Sequence, residues 1–193
     1  MPDPLLNRVD RDQLPEDLRA IWDEGMRRSG EAAIIEVFAN APELLEWYFN
    51  SFYRKVFYEG RVDVRTKELL RLKLSHEHGC YFCNNFNAVD AHAAGVTREQ
   101  IDALFDLDNP VHSDRDRAVL RLCDEMKLTN MSGELTPDLY AALKRYFSDA
   151  QIVELGLTMA VLTGVAKWIF VYDMVTREDN CPVVPGGGSA RTS

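Results

Sequence analysis

The sequence predicts an all-α, single-domain fold, and three observations carry that expectation. Apolar residues recur at three- and four-residue intervals through most of the chain, and nothing alternates with period two over a useful length. Most Gly and Pro residues fall between these periodic segments, as at Pro15, Gly30, Pro42, Gly60, Gly79 and Gly95. A chain of 193 residues, 46% hydrophobic and carrying three Trp, can also bury an ordinary core without cross-links. The domain is expected over residues 1–180 with about eight helices, and residues 181–193, CPVVPGGGSARTS, have the composition of a flexible tail.

Each element has its own signal. Residues 1–14 read as an irregular lead-in to Pro15, which suits the first turn of a helix reaching about Ser29. Leu18, Ile21, Trp22 and Met26 form its apolar stripe. Ala32 to Ala39 is a short apolar segment, and Asn40, Ala41 and Pro42 mark a break before a second long helix through Tyr58. One face of that helix is aromatic, with Trp47, Tyr48, Phe49, Phe52, Tyr53 and Phe57. At helical spacing such a stripe reads as core or subunit interface ahead of a pocket wall. Asp63 can cap a third helix, through Val64, Leu69, Leu70, Leu72 and Leu74 to about His78, where Gly79 stops it. The next helix runs from Cys80 to about Ala94 and is closed by Gly95; Thr97 starts a short one with Ile101, Leu104 and Phe105. After a loop containing Pro110, helices are expected from Asp114 to Lys127, from Pro137 to Tyr146 and from Asp149 to about Thr176. A shift of 86 residues sets Asp63 on Asp149, Glu68 on Glu154, Phe82 on Trp168 and the two thiols on Ala166 and Ile169. That echo suggests two similar helical hairpins about a pseudo-twofold axis, or only the shared spacing of buried helices.

Charge narrows the function. Acidic side chains number 31 against 22 basic, a net charge of −9, which argues against a nucleic-acid partner and against an anionic membrane surface. The start, MPDPLLNRVD, has no charged-then-apolar signal pattern, and no run approaches 18 apolar residues without charge, so a soluble cytoplasmic protein is expected. Four Cys are too few for a secreted disulfide scaffold. Cys123, within AVLRLCDEM, reads as an inert core thiol, and Cys181, beside a proline, as an exposed one.

Cys80 and Cys83 are different. Thiols at i and i+3 point to one side of a helix and can meet as a disulfide with little backbone movement. At a helix start they also face unpaired N–H groups and the positive end of the dipole, which lower a thiol pKa. The pair reads as a dithiol/disulfide couple, as half of a metal site, or as an accident of composition. A metal would need two more ligands, and His76 and His78, if helical, point about 160° apart. One of these histidines is expected to cap the helix end and the other to sit near the thiols, while His92 should face away. Glu68, on the apolar face of the third helix, is either paired with Arg65 or Arg71 or is a buried acid of raised pKa that exchanges protons with a thiol; spacing alone favours the pair.

Glu68, Cys80, Cys83, Ala91 and Gly95, followed by TREQI, resemble the core signature of the alkylhydroperoxidase D and carboxymuconolactone decarboxylase superfamily. In it a Glu lies twelve residues before CxxC, a His follows four residues later, and a small-residue helix ends in Gly. The likeness covers roughly residues 37–105 well and the last long helix loosely. It implies an all-helical fold with CxxC at the N-terminus of a central helix, assembled as homotrimers or hexamers. It also implies a peroxidase mechanism in which Cys83 attacks the O–O bond of a hydroperoxide and becomes a sulfenic acid. Cys80 then resolves it to a disulfide, and a dithiol reductant protein or small thiol restores the pair. Glu68 would accept the Cys83 proton through a water or a neighbouring imidazole, which reverses the preference for a plain salt bridge. The chain departs from the pattern at two positions, with Asn87 and Phe82 where active hydroperoxidases carry His. Asn87 can hold a water but cannot carry a proton, so His76 or His78 would have to substitute, or the peroxidase is slow, or the substrate differs. No metal or cofactor is called for. The decarboxylase branch works without the thiols, so their retention favours redox work over a lyase acting on a small carboxylated ring. A non-enzymatic oligomer that senses redox state is the third reading.

Overall fold

The structure, a computed structural model, describes residues 2–183. Its architecture is built around helix α4, Val64–His78, against which three other helices pack. The Asp63 carboxylate accepts the Thr66 amide at 2.9 Å and starts the helix, an N-cap worth about 1 kcal/mol. Nearly every α4 residue from Thr66 to Ser75 is buried, including Lys67, Glu68, Arg71 and Lys73. A core helix can carry those charges because each is paired: Lys67 with Glu154, Glu68 and Arg71 with each other, Lys73 with Asp124.

Around α4 lie, in chain order, α1 (Glu16–Ser29), α2 (Ala33–Phe38), α3 (Pro42–Glu46), a π-helical segment (Trp47–Tyr58), α5 (Tyr81–Ala93), α6 (Arg98–Asp102), α7 (Asp114–Met126), α8 (Pro137–Lys144) and α9 (Asp149–Val171). No strand is present among the described residues, and the all-helical expectation holds. Leu70 and Leu74 of α4 meet Val119 and Cys123 of α7, Leu143 of α8 and Leu155 of α9 in one apolar cluster. Leu69 and Leu72 meet Ala91, Val96 and Leu104 in a second. The third holds α1, α2, the π segment, the end of α9 and Cys80.

Three local details depart from the sequence reading. The second long helix changes at Trp47 from α to twelve residues of π-helix, whose i→i+5 bonding the apolar pattern does not announce. The last helix ends at Val171, five residues short of Thr176: Asp173 turns left-handed at φ 55°, the Met174 N–H returns to the Ile169 carbonyl, and the Asp173 N–H to that of Phe170. Residues 174–183 then double back as a strap over the start of α5, and Cys181, expected to be exposed, is buried. By length and composition α9 alone among the described helices could cross a membrane. Here its Glu154 accepts the Arg61 and Val62 amides and Lys67 inside the domain.

Candidate active site

Gly79 separates the two helices that make the site. At φ 61° it takes the left-handed conformation that closes α4, and a Cβ there would lie 2.6 Å from the Cys181 nitrogen. The chain then turns so that Cys80 is the N-cap of α5 and Cys83 sits in its first turn. Their Cα atoms are 5.2 Å apart and the two sulfurs form a disulfide; the Cys83 amide also donates to the Cys80 sulfur at 3.2 Å. Cys80 is 1% exposed, whereas Cys83 is partly open, so the second thiol is the more accessible.

Both cysteines line a cavity of about 380 Å³ with predominantly apolar walls. Ile34 and Ile35 of α2, Phe82 and Phe86 of α5 and Ala166 and Ile169 of α9 supply much of that surface. Ala166 and Ile169 are the positions that the 86-residue shift pairs with the thiols, so the echo places equivalent positions on one cavity. The hairpins themselves differ, since α4 breaks at Gly79 and α9 runs on. The π segment faces the cavity with Tyr48, Phe49, Tyr53, Arg54 and Tyr58. Their five-residue recurrence is the π-helical repeat, and in an α-helix they would fan over more than one face. The aromatic stripe is thus divided: Phe52 and Phe57 are core, Tyr48, Phe49 and Tyr53 are wall, and Trp47 is exposed.

Glu68 is both paired and perturbed. Arg71 donates to it through Nε at 2.9 Å and Nη2 at 2.6 Å, yet burial still pushes the carboxyl up to about 7. Arg71 also bonds Asp90 at 2.9 Å and lies against the Phe57 ring at 5.0 Å. Glu68 is not itself in the cavity wall; Arg71 and Asp90 are, and they connect it to the cavity. A second arginine, Arg28, bonds Asp90 from α1 at 3.1 Å and covers Phe86.

The other predicted residues fall on different sides. His78 lines the cavity, and its Nε2 accepts the Leu128 amide at 3.2 Å, so a neutral ring carries its proton on Nδ1. Burial lowers it to about 4, which makes it a neutral donor at pH 7 and a poor proton acceptor. His76 does not line the cavity; burial lowers it, opposed by the Glu178 carboxylate of the strap. Asn87 is buried in the wall, and none of the described residues bonds its side-chain amide. Arg71 was visible at three residues from Glu68 and Tyr53 in the aromatic stripe; Asp90 and Arg28 had no signal in one sequence.

Residues 42–125 match the sequence profile of the carboxymuconolactone decarboxylase family. That match, over less than half of the chain, supports the likeness to the alkylhydroperoxidase D and carboxymuconolactone decarboxylase superfamily. Among proteins it resembles is the uncharacterized protein YdfG of Bacillus subtilis, 24% identical over 111 residues, which are 57% of this chain and 73% of that one. An uncharacterized protein of Mycobacterium tuberculosis is 32% identical over 108 residues, 55% of this chain but only 37% of its own length. In fold the chain resembles the debrominase Bmp8 in complex with 2,3,4-tribromopyrrole, with a TM-score of 0.70 at 17% identity over 92% of this chain and 94% of that one. A peroxidase-related protein from Ralstonia eutropha with an alkylhydroperoxidase core superposes with a TM-score of 0.69 at 16% identity over 93% and 94% of the two chains. At these identities the superpositions concern the fold.

Proposed function

We propose that the protein is a thiol-dependent oxidoreductase that reduces an organic hydroperoxide through the Cys80/Cys83 couple. The observation that carries this reading is the disulfide-forming pair in the wall of an apolar cavity, its second cysteine partly exposed, with a buried carboxyl at about 7 joined to that wall through Arg71. In the reduced enzyme the Cys83 thiolate attacks the distal hydroperoxide oxygen; the O–O bond breaks, an alcohol leaves, and Cys83 becomes a sulfenic acid. Cys80 then attacks that sulfur, water leaves, and the disulfide forms. A dithiol returns two electrons and two protons. Glu68, poised to change charge near neutrality, takes up the Cys83 proton through Asp90 and bound water, while Arg71 stays protonated and holds the two carboxyls together. The reading includes a homotrimer or hexamer in solution, supported by Val153, Leu157 and Val171, apolar side chains left exposed on α9, and measurable by light scattering.

The aromatic walls support a second substrate for the same couple, a halogenated aromatic ring. There the dithiol would supply two electrons, a C–halogen bond would become C–H, halide would leave and the disulfide would form. Reduced protein titrated with cumene hydroperoxide and with a bromopyrrole decides between them. Stoichiometric Cys80–Cys83 disulfide with the peroxide alone supports the first reading, and bromide release the second. Turnover of a carboxylated lactone that persists in Cys83→Ser without dithiol would replace both with a lyase.

A further inference from the structure

The strap that follows α9 lies antiparallel to the start of α5. The Tyr81 amide donates to the Thr176 carbonyl at 3.2 Å and the Glu178 amide to the Gly79 carbonyl at 2.8 Å, which leaves Cys80 and Arg177 directly opposite each other. In that arrangement the facing residues form the close, non-hydrogen-bonded type of pair, with Cα atoms about 4.5 Å apart and side chains on the same side. Arg177 is mostly buried, its side chain 17% exposed. Nη1 is held by Asp173 at 2.9 Å and Nη2 by the Phe170 carbonyl, but Nε is buried with no hydrogen-bond partner among the described residues. A buried guanidinium donor without a partner is costly.

We infer that Arg177 is a positioning residue for the Cys80 thiolate and raises the reduction potential of the Cys80–Cys83 couple. When a dithiol reduces the disulfide, the S–S bond breaks and each sulfur gains one electron; the dithiol gives one proton to Cys83 and its other to solvent, and Cys80 leaves as a thiolate anion. That anion gains a cation directly across the strand pair, in addition to the Cys83 amide it already accepts. Only the reduced state contains the anion, so Arg177 stabilises the reduced form and makes the disulfide easier to open. Of the other charged groups near this corner, Lys167 acts together with Arg177 on the Cys181 thiol of the strap. Asp173 is engaged with Arg177, Glu178 lies beside His76, Glu31 accepts the Thr176 amide, and His78 is neutral in the cavity wall.

The inference rests on the redox reading of the pair but not on its substrate, because the potential is measurable without peroxide turnover. Full-length protein would be equilibrated with reduced and oxidised dithiothreitol, free thiols trapped by alkylation, and the Cys80–Cys83 peptide quantified by mass spectrometry. Arg177→Gln should shift the equilibrium about tenfold toward the disulfide, about 30 mV toward negative potential. Arg177→Lys should lie within threefold of wild type. Because Arg177 also anchors the end of α9, Asp173→Asn is the structural comparison: it loosens the same anchor, keeps the cation and should not lower the potential. An Arg177→Gln potential within twofold of wild type, equal shifts for Gln and Lys, or the same fall in Asp173→Asn would each overturn the inference. A normal potential shift with no peroxide consumption would instead fault the peroxidase reading alone.

Discussion

Replacing Glu68 by Gln should change how stability depends on pH, and the structure sets both the sign and the size. Burial raises the folded-state carboxyl from 4.5 to about 7 against the pull of Arg71. Between those values the folded chain binds a proton that the unfolded chain has lost. Its contribution is therefore present below pH 4.5 and disappears as pH rises through 7, an amount of about 3 kcal/mol. His78 works in the opposite sense: burial lowers it from 6.5 to about 4, so its contribution is present above pH 6.5 and is lost as pH falls through 4. From pH 4.5 to 6.5 the two slopes oppose, and the wild-type melting temperature should stay nearly level. Glu68→Gln removes one of them. Asp90 still holds Arg71 in that variant, so the guanidinium is not stranded. The variant's melting temperature should then climb by about 5–10 °C from pH 4.5 to 6.5, at 2–4 °C per kcal/mol for a chain of this size. Calorimetric melts of both proteins at four pH values check this. Parallel curves would refute a perturbed carboxyl at Glu68, and with it the proton acceptor assigned to the site.

Three further outcomes follow from named contacts. In the reduced protein iodoacetamide should label Cys83 first, while Cys123 and Cys181, whose thiols burial pushes up, stay unmodified in the folded state; peptide mapping reads this, and equal labelling of Cys181 would contradict its burial. Glu154→Ala strands the fully buried Lys67 and frees the Arg61 and Val62 amides, so denaturant melts should show a loss of about 3–5 kcal/mol; a loss under about 1 kcal/mol would mean that Lys67 finds another partner. Phe49→Ala removes an aromatic wall of the cavity, and under the peroxidase reading steady-state kinetics should show a KM several-fold higher for cumene hydroperoxide with that for hydrogen peroxide unchanged. Equal changes for both would place Phe49 outside substrate contact.

The helical order and most boundaries were legible because caps and breakers are local: Asp63, Gly79 and Gly95 act within a few residues of themselves. The thiol pair was legible for the same reason, since i and i+3 spacing in a helix start is a local geometry. What stayed hidden depends on long-range packing. The apolar pattern of Trp47–Tyr58 is compatible with α or π, and only the five-residue recurrence of its cavity-facing side chains separates them. Glu68 combined both of its expected fates, because an i+3 arginine is a sequence feature while the depth of burial is not. Cys181 was misjudged from its proline and the linker-like residues after it. Its burial comes from the turn at Asp173, where a non-Gly residue adopts a left-handed conformation that composition gives no reason to expect.

The position of the strap has a consequence for how the protein is made. Chains are synthesised from the N-terminus, and the thiol pair emerges almost a hundred residues before Arg177 and Cys181. At 5–20 residues per second, that is an interval of roughly 5–20 s. Throughout it Cys80 and Cys83 lack the segment that later covers them, and Cys123 joins them as a competing thiol. Correct pairing in that window depends on α5 forming early and holding its two sulfurs three residues apart, before the strap exists to protect them.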